Sequence, residues 1–359
     1  MKNPNIGSEN RPWSGSKPRL AILGAGLLLT ACGWMVASAV ETSAKPYDRA
    51  AARLKYKRPT KIPTPADNIH TPARVELGKA LFFDPRLSAS GITSCGSCHN
   101  PSFAWGDGLP RAVGHNMKTL GRRTPTILNV AYGELFFWDG RAASLEEQAL
   151  GPIKAAGEMN LPLDQMLAKV KAVAGYTPMF EAAYPGEGIT ESTVAKAIAN
   201  FERTVISAPA PFDAWVAGNE AAISETAKHG FDLFNTKAEC YQCHSGWNFT
   251  DDGFHDIGLR SEDRGRGEQL PQVEGVQFAK KTPTLRNVDQ RAPYMHDGSE
   301  GTLDQVVRFY NRGGDIKRTS LDIHVRPLSL SDDEIKALCA FMHTLTSPDP
   351  AVTLPVLPK

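Results

Sequence analysis

Past residue 65, apolar positions recur at helical rather than alternating spacing. Val75, Leu77, Leu81 and Phe82 form one such run and end at Asp84-Pro85, and Ala227, Phe231 and Phe234 form another that ends at Asn235. Between them, Leu161–Ala174 and Glu191–Ile206 keep the same period, the second placing Val194, Ile198, Phe201 and Val205 on one face. Ser331 and Glu334 make a capping box ahead of Ile335, Leu338, Phe341, Met342 and Leu345, which predicts a last helix running to about Leu345. Strand-like alternation is scarce. The expected class is all-α, and 31 Gly with 26 Pro predict long irregular loops between the helices.

The N-terminus has a different pattern. Lys2, Arg11, Lys17 and Arg19 precede an uncharged, mostly apolar run from Leu20 to Val40, long enough to cross a bilayer as one helix. Three fates fit it: a retained inner-membrane anchor, a signal peptide cut after Ala37-Ser38-Ala39, or a lipoprotein signal cut before Cys32. Each puts the remainder in the periplasm, with or without a tether to the inner membrane. Residues 1–40 are therefore read as signal or anchor, and residues 41–65, without apolar periodicity, as a linker.

The length of 359 residues suggests two domains. Charge nearly cancels, at 40 Lys+Arg against 39 Asp+Glu, which argues against nucleic acid as a partner. Hydrophobic residues at 41% and charged residues at 22% exclude wholesale disorder and a polytopic membrane protein.

Six cysteines change the picture. Four form two Cys-x-x-Cys pairs, Cys95/Cys98 and Cys240/Cys243, each followed at once by histidine, His99 and His244. With 6 Cys and 9 His in the chain, chance expects about 0.0025 copies of that pentapeptide. The surroundings also repeat. Each motif is followed by Thr-Pro-Thr-(Ile/Leu)-x-Asn-Val, at Thr124 to Val130 and Thr282 to Val288, and then by an aromatic or Met-His pair before Asp-Gly, at Phe137-Trp138-Asp139-Gly140 and Met295-His296-Asp297-Gly298. The order of parts points to a duplicated module.

Two thiols three positions apart can form thioethers with the vinyl groups of one haem, and the adjoining histidine can then reach the iron, which is c-type attachment. A Cys₄ zinc site or a pair of disulfides uses the same thiols but leaves both histidines idle. Cys339, inside an amphipathic helix, reads as a buried apolar residue.

From Ala66 to Ser347 the chain resembles the bacterial dihaem cytochrome c peroxidases and their MauG-type relatives. The resemblance rests on Leu81-Phe82-Phe83-Asp84-Pro85-Arg86-Leu87-Ser88, Trp138-Asp139-Gly140-Arg141, Gly151-Pro152 to Glu158-Met159-Asn160, and Ala292-Pro293-Tyr294-Met295-His296-Asp297-Gly298. It implies two cytochrome c-like haem domains, residues 66–208 and 209–347, with a tail over 348–359, and it allows the final helix to return to the first domain. It also implies two covalently bound c-type haems with His99 and His244 as axial iron ligands.

By the same resemblance, Glu158 is the catalytic acid–base that moves a proton between peroxide oxygens, and Trp138 lies between the haems as a stepping site for an electron or hole. His115 matches the mobile-loop histidine that caps the first haem. On residue type alone each has a plainer reading: an exposed helix-terminal acid, a core tryptophan and a surface-loop histidine.

Two departures are informative. Where the peroxidases of this group place a distal methionine on the second haem, the register gives Tyr310, the MauG-like choice, and an anionic phenolate favours Fe(III) over Fe(II). Met295, His324 and Met342 are rival ligands. Arg123 stands where many members have an asparagine that helps bind an interdomain calcium. A guanidinium cannot ligate Ca²⁺, which counts against calcium, although carbonyls and water can still form a site.

The implied function is a periplasmic dihaem peroxidase of MauG type. It would reduce hydrogen peroxide at the first haem and store oxidising equivalents on a His/Tyr-ligated second haem. Electrons would come from a small cytochrome or cupredoxin, or from side chains of a protein substrate. The rival class is a non-catalytic dihaem electron-transfer cytochrome, in which His115 or Met117 closes the first iron.

Overall fold

The computed structural model describes residues 46–359; the apolar run over residues 20–40 lies outside them. Among the described residues no helix is long and apolar enough to cross a membrane. The helices are α1 (Arg49–Leu54), α2 (Pro72–Phe82), α3 (Cys95–Cys98), α4 (Leu145–Lys154), α5 (Leu163–Lys171), α6 (Tyr176–Ala183), α7 (Glu191–Glu202), α8 (Pro211–Val216), α9 (Glu225–Asn235), α10 (Arg266–Gln269), α11 (Leu303–Asn311) and α12 (Asp332–His343). Phe254–His255 (β1) and Lys280–Lys281 (β2) pair antiparallel. The rest is loop and short 3₁₀ turn.

Local chemistry sets the helix starts. The Thr71 side chain accepts from Arg74 N with Pro72 at the first helical position of α2, and Ser224 does the same for α9 through Ala227 N. The expected box at Ser331 and Glu334 opens α12. α5 and α7 are shorter than their apolar patterns, because Val173 and Val205 continue the buried face in turns beyond the helix ends.

Duplication is visible in the packing. α2 crosses α7 so closely that a Cβ on Gly78 would stand 1.9 Å from the Ala197 carbonyl oxygen; α9 crosses α12 with a Cβ on Gly230 1.9 Å from the Ala337 carbonyl oxygen. Leu77, Leu81, Phe82, Ile198 and Phe201 centre one core, and Phe231, Phe234, Leu338 and Phe341 centre the other. Val205 belongs to the first and Phe212 to the second. The loops repeat as well: Asn129 and Asn287 are left-handed at φ 63° and 55°, as are Phe137 and Met295 at 67° and 68°.

The two halves exchange their ends. Within residues 41–65 part of the chain is folded despite its polar pattern: α1 brings Ala52 and Tyr56 into the second core, where Tyr56 stacks on Phe249 at 4.8 Å and its hydroxyl donates to Asn235 at 2.8 Å. One aromatic and one alanine do this, too few to register as a period. α12 does not return to the first half. It packs on α9 and α11, and the tail makes the return instead: Val352 joins the first core, Arg86 donates to the Pro358 carbonyl at 3.0 Å and Gly175 N to the Lys359 carbonyl at 2.9 Å.

Candidate active site

Each Cys-x-x-Cys-His segment is a single tight turn. His99 N donates to the Cys95 carbonyl and His244 N to the Cys240 carbonyl, both at 2.8 Å, which puts thiols and imidazole on one side. His99 Nδ1 then meets the Trp105 carbonyl at 3.2 Å and His244 Nδ1 meets the Phe249 carbonyl at 2.9 Å. A carbonyl only accepts, so in each ring Nδ1 carries the hydrogen and Nε2 keeps its lone pair for a metal. Burial pushes both imidazole pKa values down, which favours the neutral, ligating form.

The four motif cysteines are free thiols. Burial raises the pKa of Cys95, Cys98 and Cys240 and so favours the protonated thiol. Among the described residues the four do not gather into one site; Cys243 approaches Asp251 and His255 within 4.8 Å, an arrangement that haem attachment would break up by consuming the thiol. One continuous cavity of about 670 Å³ is walled by both motifs. Free thiols, a free Nε2 on each histidine and a shared cavity fit two covalently attached haems.

Glu158 lines this cavity. It sits in the turn after α4, where Glu158 N donates to the Ala155 carbonyl at 2.9 Å, and burial raises its pKa while Arg141 pulls it down. Trp138 also lines the cavity and is held from both halves: its Nε1 donates to the Arg123 carbonyl at 3.0 Å, and its own carbonyl accepts from Lys281 N at 2.8 Å.

Tyr310, on α11, lines the cavity near Cys240 and Cys243. Burial and those thiols raise its pKa, and its hydroxyl makes no hydrogen bond with any described residue. His324, Met295 and Met342 line the same cavity. His115 does not; its backbone N donates to the Gly157 carbonyl at 3.1 Å, tying its loop to the Glu158 turn, and Met117 is 82% exposed.

Four charged residues of the site carry no motif. Arg123 and Arg291 both line the cavity. The Arg123 side chain crosses the junction to donate to the Pro293 carbonyl, and Arg291 donates to the Thr284 carbonyl. Glu202, at the end of α7, is only 4% exposed, and burial raises its pKa to about 8. Its place in the repeat is taken in the second half by Met342, since Phe201-Glu202-Arg203-Thr204 matches Phe341-Met342-His343-Thr344. His255 is bracketed by Asp251 at 2.8 Å and Asp322 at 2.7 Å, and Asp251, the Cys243 thiol and Asp322 together raise its pKa. In the sequence Arg123 shows as a departure from the resemblance and Glu202 only when read against its repeat partner, while Arg291 and His255 carry no such signal.

The chain was compared with known proteins. The family model described as di-haem cytochrome c peroxidase matches residues 72–221, and that for cytochrome c matches residues 227–346. The methylamine utilization protein MauG of Methylorubrum extorquens is 48% identical over 342 residues, covering 94% of this chain and 96% of that protein. The protein of the same name from Methylophilus methylotrophus is 45% identical over 310 residues, covering 86% and 92%. A solved MauG-like protein associated with microbial copper homeostasis superposes with a TM-score of 0.75 at 30% identity, over 82% of this chain and 94% of that one. With its two cytochrome c-like domains and two c-type haem sites, the chain belongs to the di-haem cytochrome c peroxidase (MauG) family and is a haem-dependent peroxidase.

Proposed function

We propose that this is a periplasmic peroxidase of MauG type, in which His99 and Glu158 serve the peroxide-binding haem and His244 and Tyr310 hold the iron of the other. The observation that carries the reading is Tyr310, which lines the shared cavity beside the second motif and whose hydroxyl has no hydrogen-bond partner among the described residues. When bound, the haems supply one iron that takes peroxide and a second that stores oxidising equivalents.

The side chains do the rest. Glu158, whose carboxyl burial pushes toward the protonated form, passes a proton between the two peroxide oxygens. Complete reduction of one H₂O₂ takes two electrons and two protons and yields two waters. Trp138 offers its indole as the stepping site between the domains, and because Nε1 donates to a carbonyl, which is no base, the indole keeps its proton when an electron leaves. The electrons come from outside, from a small redox protein or from side chains of a protein substrate.

Electron paramagnetic resonance of the oxidised protein tests the ligand set. The expected spectrum has one high-spin ferric centre and one low-spin centre, with the low-spin signal altered in Tyr310→Met. A low-spin signal that survives Tyr310→Met unchanged removes Tyr310 from the iron. Rapid peroxide-driven reoxidation of a reduced carrier cytochrome marks the small-carrier route, and peroxide-dependent new absorbance in a partner protein marks the other.

A further inference from the structure

Buried basic side chains in this fold are matched to carboxylates, with one exception among the described residues. Four Lys and Arg residues are buried: Arg123, Arg203, Lys228 and Arg286. Arg203 pairs with Glu146 at 2.7 Å, Lys228 with Glu225 at 2.7 Å and Arg286 with Asp213 at 2.8 Å. Among the described residues Arg123 has no carboxylate within ion-pair distance, and its Nε has no hydrogen-bond partner. Arg291, which is half-buried and lines the cavity, has only carbonyl acceptors among the described residues, Asn287 at 3.3 Å and Thr284.

The two guanidiniums repel one another: burial, and then the charge of Arg123, pushes Arg291 down to about 9. Arginine does not answer such a site by losing its proton, because its intrinsic pKa is too high. An uncompensated cation at this depth is unfavourable. Asp107 acts on Arg123 only from beyond ion-pair distance, and none of the carboxylates lining the cavity pairs with either guanidinium, so the two cations are placed to receive an added anion. The charge of Arg291 also reaches the His244 imidazole, which places it by the second motif.

We propose that Arg123 and Arg291, one from each half, are the anion acceptors for haem propionates at the domain junction, with Arg291 serving the haem ligated by His244. The planar fork of a guanidinium suits a carboxylate bidentately. Arg123 also ties the anion to the path between the sites, since its own carbonyl holds Trp138 Nε1 and its side chain holds the Pro293 carbonyl. The charge of the cofactor thereby joins the two halves.

The test uses the haem-loaded full chain and reads potentials, with haem content measured separately as the pyridine haemochrome. In Arg291→Gln the second haem, deprived of a neighbouring cation, should favour Fe(III) about tenfold more than in the wild type, a fall of 59 mV for a one-electron couple. Its potential should also become pH-dependent between about pH 5 and 8, as the freed propionate titrates. Arg291→Lys should restore most of the wild-type value, which a purely structural role would not require.

Two haems per chain with unchanged, pH-independent potentials in Arg291→Gln would overturn the assignment while leaving haem attachment intact. Should the variant fail to mature, a crystal structure of the wild type decides. A propionate oxygen within ion-pair distance of Arg291 bears the proposal out, and a solvent anion there, with the propionates directed elsewhere, sinks it.

Discussion

Trp138 and His296 occupy the same position in the two copies of the module and pack edge to face, ring centroids 6.3 Å apart at 66°. Each follows a residue of left-handed backbone, Phe137 or Met295, and precedes Asp-Gly. The duplicated turns therefore meet tip to tip. Divergence has left an oxidisable indole on one tip and, on the other, an imidazole that burial and Lys280 drive down to about 4, so it stays neutral. Trp138→Phe keeps the packing and removes the easily oxidised ring. Steady-state peroxide turnover with an external electron donor should fall at least about tenfold with both haems retained; undiminished turnover would take Trp138 out of the path.

Glu158→Gln keeps shape and removes the proton carrier. kcat/KM for peroxide should drop by about 10²–10⁴, the usual worth of a positioned acid–base group. Because burial raises its pKa, the limb of the wild-type pH profile that it controls should be displaced upward from the ordinary carboxylate value and vanish in the variant. A variant with the wild-type profile would show that the proton moves elsewhere.

The helix crossings at Gly78 and Gly230 leave no room for a methyl group. Gly78→Ala or Gly230→Ala drives a Cβ onto a backbone carbonyl that cannot step aside, and each should cost about 1–3 kcal/mol or more of unfolding free energy. Equilibrium denaturation of each variant is the check, and two variants as stable as the wild type would mean that the crossings are looser than described.

Glu202 makes stability depend on pH. Its folded pKa of about 8 lies above the ordinary carboxylate value of 4.5, so between these limits the native state binds more protons than the unfolded one, and stability falls as pH rises. Glu202→Gln removes that slope. The stability gap in favour of the variant should widen from about pH 5 to 8, by about 1 kcal/mol or more, and then level off. Thermal melts at several pH values would show it, and a gap that does not change with pH would mean that Glu202 is ionised throughout.

Much of this was legible beforehand because the chemistry is local. The haem motifs, their repeat and the helices of α2, α7, α9 and α12 lie in short windows whose spacing carries the signal. Tyr310 came from register within a resemblance, and its helix α11 escaped notice although Leu303, Val307 and Tyr310 share a helical spacing. Arg123 showed in the sequence only as a departure, and Arg291 not at all. An unpaired charge is a property of what surrounds a residue, and nothing in a neighbouring window records a missing carboxylate. Tyr56 was hidden for a related reason: a lone aromatic has no period, and its core lies about 150 residues further along.

The exchange of chain ends bears on autonomy. A cut near residue 208 would not release two self-sufficient proteins, because the amino-terminal fragment would carry off Tyr56, which belongs to its neighbour's core, and the carboxy-terminal fragment would carry off Val352 and the Pro358-Lys359 clasp. Each piece would be born with an open wound that only the other can close. Both haem sites should consequently melt in one transition, so that damage to either domain disarms the whole molecule at once.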